Sequence, residues 1–187
     1  MIGPPFPEVL AAAQQGDEEA FAALWRDLQP AVLRYLRVAA PAAAEDLAAE
    51  TWLSVIRGLD RFRGDERSFR AWVFTAARHR VIDWRQAARR HADPLPLELL
   101  GDRPAPDDPA AAALEAQSTR DALGLIAQLP HDQAEVVALR VIGGLDVAEV
   151  AAILGKRPGA VRVLAHRGLR RLAQRLQAAA PTRGVTR

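Results

Sequence analysis

An all-α chain of two small helical domains is what this sequence predicts, and three observations carry that expectation. Apolar residues recur at helical intervals nearly throughout, with few alternating β-branched runs. Ala and Leu dominate, so propensity favours helix as well as pattern. Every Phe, Trp and Tyr falls at or before Trp84, so the first half packs an aromatic core and the second an aliphatic one. Between the halves, Pro94, Pro96, Pro104, Pro106 and Pro109 stand among Asp and Ala, a composition that breaks helices and reads as an extended linker. The expected layout is a domain at 5–90, a linker at 91–115, a helix-turn-helix domain at 116–178 and a tail at 179–187.

In the first domain Gly16-Asp17 opens a helix, with Asp17 as N-cap and Ala20, Phe21, Leu24 and Leu28 facing inward. Pro30 punctuates it, and Val32, Tyr35 and Leu36 continue as another amphipathic stretch. A further helix is expected from about Ala42 to Asp60. The next begins after Gly64 and turns Phe69, Trp72, Val73, Ala76 and Ala77 inward. Phe69, Trp72 and Phe74 therefore read as core rather than as base-stacking groups.

In the second domain Asp132 and Glu135 have capping-box spacing, opening a helix that ends at Gly143-Gly144. Asp146 and Glu149 repeat the spacing before a short helix ended by Gly155. Pro158 suits the first turn of a last helix reaching about Gln177, with Val161, Ala165, Gly168, Leu172 and Leu176 along one buried seam. Two capped helices, a glycine turn and a long basic helix specify a helix-turn-helix.

Charge distribution points to nucleic acid. The formal net charge is only +2, but residues 61–90 hold nine Arg against three acids, and residues 156–175 hold seven Lys or Arg against none. Residues 91–121 invert this, with seven acids against two Arg. Two basic surfaces joined by an acidic spacer fit a polyanion touched twice. On the last helix Arg162, His166 and Arg170, flanked by Val163 and Arg167, lie opposite the seam, where a helix can enter the major groove.

Other classes are disfavoured. There are no cysteines, so disulfides and thiolate metal sites are excluded. The histidines His79, His91, His131 and His166 show no metal-ligand spacing, and no phosphate loop or nucleophile elbow occurs. Neither catalysis nor a metal or cofactor is expected. No apolar run approaches the roughly 20 residues of a membrane span, and the N-terminus lacks the layout of a secretory signal. A cytoplasmic location without membrane insertion is expected.

Three stretches then carry a resemblance: Ala44 to Trp52 (AEDLAAETW), Gly58 to Gly64 followed by Ser68 to Phe74, and Leu129-Pro130 through Leu172. Their order and spacing resemble the extracytoplasmic-function sigma factors, small alternative sigma factors of bacterial RNA polymerase in the sigma-70 family. The resemblance covers roughly residues 8–90 and 118–177. It implies one domain that binds and opens the downstream promoter element and another that reads the upstream element as duplex. It places Asp46, Ala49 and Glu50 against the clamp helices of the polymerase's largest subunit, with the flap of the second-largest subunit as a further contact. It places strand opening at Gly64–Ser68, Arg78, His79, Arg80, Trp84, Arg85 and Arg89, and upstream reading at Arg157, Arg162, Val163, His166, Arg167, Arg170 and Arg171. Core polymerase and promoter DNA are the implied partners, and an anti-sigma protein is one the family allows. The chain departs from the family at Ala49, where an amide is common, at His79, where Asn is common, and at Ala160 and Val163, where hydroxyls are common. The rival reading is a helix-turn-helix regulator that binds DNA as a dimer without joining a polymerase.

Overall fold

The computed structural model describes residues 1–3, 5–90 and 109–179, and every regular element among them is helical. In the first domain α1 (Phe6–Gln14) turns at Gly16, whose φ of 92° favours glycine, into α2 (Glu18–Ala39). Asp17 caps α2 as expected, accepting from the Ala20 N–H at 2.7 Å. The break expected at Pro30 does not occur, and α2 runs through it. Leu24 and Leu28 before the proline and Ala31, Val32, Tyr35 and Leu36 after it are all buried. Burying each large apolar side chain is worth about 1.5–3 kcal/mol, so together they outweigh the roughly 3 kcal/mol a mid-helix proline costs.

A 3₁₀ turn at Pro41–Ala43 leads to α3 (Ala44–Leu59), and α4 (Glu66–Arg90) follows, capped where the Asp65 carboxylate accepts from the Ser68 N–H at 2.8 Å. Phe69 contacts Phe6, Phe62 and Trp72 at centroid distances of 5.7, 5.3 and 5.8 Å, and Tyr35 meets Phe74 edge-on at 5.7 Å. Phe69 and Phe74 are fully buried and Trp72 partly so, as their core reading requires.

The second domain comprises α5 (Pro109–Ala127), α6 (His131–Val137) continued by one π turn (Ala138–Ile142), α7 (Val147–Leu154) and α8 (Pro158–Ala179). Residues 109–115, expected to be extended, form the start of α5, with Pro109 at the first position, where its missing N–H costs nothing. The remaining linker reading (91–108) and the tail from 180 lie outside the described residues. The core here is aliphatic, built on Val136, Val137, Leu139, Leu145, Val150 and Val161.

The first capping box is absent. No side chain caps α6, whose N-cap position is Pro130. Asp132 instead meets Lys156 at 3.1 Å and Glu135 meets Arg78 at 3.0 Å. The helix starts at His131, ahead of the expected cap, so Asp132 falls inside the first turn and each carboxylate turns to a charged side chain instead. The second box forms: Asp146 accepts from the Ala148 and Glu149 N–H groups at 2.7 and 2.9 Å, and Glu149 accepts from the Asp146 N–H at 2.6 Å. Gly155 ends α7 in the left-handed conformation, φ 62°.

These caps titrate. The hydrogen bond from the Glu149 N–H holds the Asp146 carboxyl below its usual range, and the Ser68 bonds do the same for Asp65. A lowered folded-state pKa stabilises above the unfolded carboxylate value of about 3.9 and is lost as pH falls through the folded value. Thermal denaturation followed by circular dichroism should therefore show stability falling below about pH 4. Asp146→Asn, which caps without titrating, should flatten part of that fall; an unchanged profile would remove Asp146 from the cause.

Along α8, Val161 and Gly168 are buried and Leu172 is half-buried, but Leu176 is 56% exposed, so the expected seam stops short of it. Gly168 permits the crossing of α8 over α6, since a Cβ there would fall 2.7 Å from the Val137 Cγ2. Val137 is β-branched and 1% exposed, so it cannot swing aside. Gly168→Leu should destabilise the chain by about 1–3 kcal/mol in urea denaturation; wild-type stability would mean the crossing is looser than it stands.

The domains touch. α2 packs against α1, α3 and α4, and also against α5, α6 and the π turn, while α7 approaches α4.

Candidate nucleic-acid interface

The basic surface on α8 follows from helix periodicity. With Val161, Gly168 and Leu172 turned inward, successive 100° rotations carry Arg162, Val163, His166, Arg167 and Arg170 to the far side. All five are exposed, Val163 at 48%. Arg157, just ahead of Pro158, is also exposed, where a cation beside a helix N-terminus can meet phosphate. Arg171 sits closer to the seam and reaches the Gln133 amide oxygen at 3.3 Å, so it braces α6 against α8.

Upstream of this helix, α7 supplies the turn. Its capping box fixes the entry and Gly155 the exit, and Lys156 ties the connection to Asp132. The Lys156 ammonium holds the Asp132 carboxyl below its usual range, so this tie is ionised at neutral pH. The start of α8 is thus held by charge as well as packing.

The α4 surface is more engaged than the sequence implied. Arg78 donates Nε to Glu135 at 3.0 Å, with both side chains largely buried. Arg85 donates Nη2 to the Ala39 carbonyl at 2.7 Å, closing the C-terminus of α2, and its Nη1 lies against the His131 Nε2. Arg80 pairs with Asp83 at 3.1 Å, and its buried Nε has no partner. Trp84 packs against the core and is half-buried. His79 and Arg89 are exposed. His79 lines an open groove of about 430 Å³ between α4 and α7, with Trp72 and Thr75 on its own helix and Glu149 and Ile153 opposite. Beneath this surface the Tyr35 phenol is fully buried without a hydrogen-bond partner; burial raises its pKa well above the usual value, and the Glu135 carboxylate adds to the rise.

On α3 the structure brings Asp46, Ala49 and Glu50 together as one exposed face. It also extends that face with residues the sequence reading passed over. Leu53 and Ile56 are 52% and 51% exposed, on a helix whose opposite side buries Leu47, Trp52, Val55 and Leu59. Their signal was available, since Leu53 follows Asp46, Ala49 and Glu50 at helical spacing, but exposed apolar residues are recognised only once the buried side is known. Among the described residues no His, Asp or Glu cluster could hold a metal, and no helix is long and apolar enough to cross a membrane.

Comparison with known proteins bears on both domains. Residues 19–91 match Sigma-70 region 2 and residues 119–172 match Sigma-70 region 4. The chain is 37% identical over 186 residues to the ECF RNA polymerase sigma factor SigD of Mycobacterium bovis, covering 96% of this chain and 87% of that protein. It is 36% identical over 171 residues to the ECF RNA polymerase sigma factor BldN of Streptomyces coelicolor, covering 90% of this chain and 65% of BldN. Its fold is similar to that of CnrH in complex with the cytosolic domain of CnrY, with TM-score 0.62 and 24% identity over 92% of this chain and 97% of the other. It is similar also to the sigma factor RpoE bound to the anti-sigma factor NepR from Bartonella quintana, with TM-score 0.63 and 22% identity over 85% and 98%. With both sigma-70 regions matched in order and SigD aligned along most of its length, the chain belongs to the ECF sigma factors of the sigma-70 family.

Proposed function

We propose that this chain is an alternative sigma factor that joins core RNA polymerase in the cytoplasm and directs promoter recognition, DNA melting and initiation. The observation that carries this reading is a second specialised surface outside the helix-turn-helix. A dimeric regulator that only bound duplex could use the apolar part of the α3 face to dimerise, but would have no use for an arginine-lined α4 beside it in a separate domain.

In this reading Asp46, Ala49 and Glu50, with Leu53 and Ile56, dock on the clamp helices of the largest subunit. Acids suit a basic partner, and the two apolar side chains supply the contact area that charge alone lacks. α4 and the Gly64–Ser68 loop engage the downstream element, where Arg78, Arg80, Arg85 and Arg89 follow the phosphates and His79 meets a base. α8 reads the upstream element through Arg162, Val163, His166, Arg167 and Arg170. Arg157 and Arg171 border phosphates, and the second domain rests on the flap of the second-largest subunit. An anti-sigma protein would act by covering one of these surfaces.

Run-off transcription tests the whole. Core polymerase plus this protein should initiate at a defined promoter where core alone does not. If the combination initiates nowhere while the protein by itself footprints a palindrome, the dimeric regulator is correct instead.

A further inference from the structure

α1 lies outside the surfaces that face polymerase and DNA, yet both of its ends fasten the connection between α3 and α4. At its C-terminus the Gln14 amide donates Nε2 to the Leu59 carbonyl at 2.8 Å and to the Phe62 carbonyl at 2.9 Å, across 45 and 48 residues of chain. At its N-terminus Phe6 is buried with its ring 5.7 Å from Phe69, and the Ile2 and Gly3 N–H groups donate to the Glu66 carboxylate. α1 thus bridges the last turn of α3 and the first turn of α4.

The connection itself, residues 60–65, is mostly exposed: Asp60, Arg61, Arg63, Gly64 and Asp65 all face solvent. Phe62 anchors it, stacking on Trp72 at 5.1 Å and meeting Phe69 edge-on at 5.3 Å. Arg63 donates Nη1 to the Asp60 and Phe62 carbonyls at 2.8 and 2.7 Å. The Phe62 carbonyl therefore accepts from both Gln14 and Arg63, which fills its two lone pairs. The Arg63 tie is local and would move with the connection. The Gln14 tie fixes the same carbonyls to a separate helix, and α1 is in turn held by the buried side chains of Phe6, Leu10 and Ala13.

We propose that α1 is a brace and Gln14 a positioning residue for strand opening: by pinning the Leu59 and Phe62 carbonyls it keeps the α3–α4 connection in one shape, ready for an extruded base. The inference rests on the sigma-factor reading for the role of the Gly64–Ser68 turn. Taking a base out of the stack is costly, and the surface that receives it must offset that cost. A turn ordered in advance loses none of its contact energy to its own ordering. Gln14 touches neither DNA nor polymerase and acts through the connection. Its loss therefore falls on opening and leaves the α3 and α8 surfaces alone.

The test uses the full chain bound to core polymerase, on a promoter found by run-off transcription. Gln14→Met keeps side-chain length and helix propensity but removes both donors. Gln14→Lys restores donors, and the half-buried position lets its ammonium stay hydrated. Opening is read as permanganate oxidation of unpaired thymines. Gln14→Met should slow opening about tenfold, the effect of two lost hydrogen bonds, and Gln14→Lys should recover most of the rate. Binding to core polymerase and affinity for upstream duplex should match the wild type in both variants. Opening at the wild-type rate by Gln14→Met overturns the brace. A joint loss of core binding, duplex affinity and opening also overturns it, as does a failure of Gln14→Lys to recover the rate, because either marks Gln14 as a support for folding alone. If the wild-type chain with core polymerase opens no promoter, the sigma assignment fails and the brace with it, so the two failures are told apart by the wild-type result.

Discussion

Reversing both acids on the outer face of α3, Asp46→Lys with Glu50→Lys, is expected to weaken binding to core polymerase by on the order of 100-fold, about 3 kcal/mol. The two carboxylates are one turn apart on an exposed face, so together they present a concentrated negative patch. Turning both positive replaces attraction with repulsion against the same basic surface, a larger change than neutralising either. Folding should be nearly untouched, because exposed substitutions of this kind stay within about 0.5 kcal/mol. Leu53→Ala should add a separate loss by removing apolar area from the contact. Quantitative pull-down with purified core polymerase reads both, with circular dichroism as the check on folding. Full retention by the doubly reversed protein would move the polymerase contact off α3, and promoter-specific transcription would then have to be traced to another surface.

What was legible in this sequence was what neighbours in sequence decide. Asp17, Asp146 with Glu149, and Gly155 do what their local spacing says, because each cap is settled within a turn of the chain. Asp132 and Glu135 have the same spacing as Asp146 and Glu149 yet form no cap. Their partners, Lys156 and Arg78, lie 24 and 57 residues away, beyond the reach of any local pattern. Pro30 was misread for a related reason: the packing that carries α2 through it comes from other helices. On the site, the α8 face was legible because a seam of small and aliphatic residues fixes the opposite side. The α4 stripe was only half legible. Its arginines were found, but not that Arg85 closes α2 or that Arg78 faces a largely buried acid, since both facts belong to how the domains meet. Leu53 and Ile56 were missed because an exposed leucine reads as core until burial is known.

Substitution on α8 should separate reading from holding. Arg162 and His166 lie near the centre of the exposed face, one turn apart, where the helix axis would come nearest the floor of the major groove. Arg162→Ala and His166→Ala should each cost about 1–3 kcal/mol on the preferred upstream sequence and much less on unrelated duplex, so the ratio between the two collapses. Arg157 stands before the first turn of the helix, so it is placed for phosphate rather than for base edges. Arg157→Ala should weaken all duplexes alike and lower the salt dependence by about one released ion. Titrations of wild type and variants on specific and random duplex, at three salt concentrations, resolve the two patterns. Val163 makes the contrast sharper, because an exposed aliphatic side chain can only reward a thymine methyl or exclude a polar edge. Val163→Thr, which adds a hydroxyl at nearly the same volume, should change which base is preferred at one position while leaving the salt dependence intact. If instead it altered every sequence equally, α8 would be lying along the backbone and the base-reading role would pass to another element.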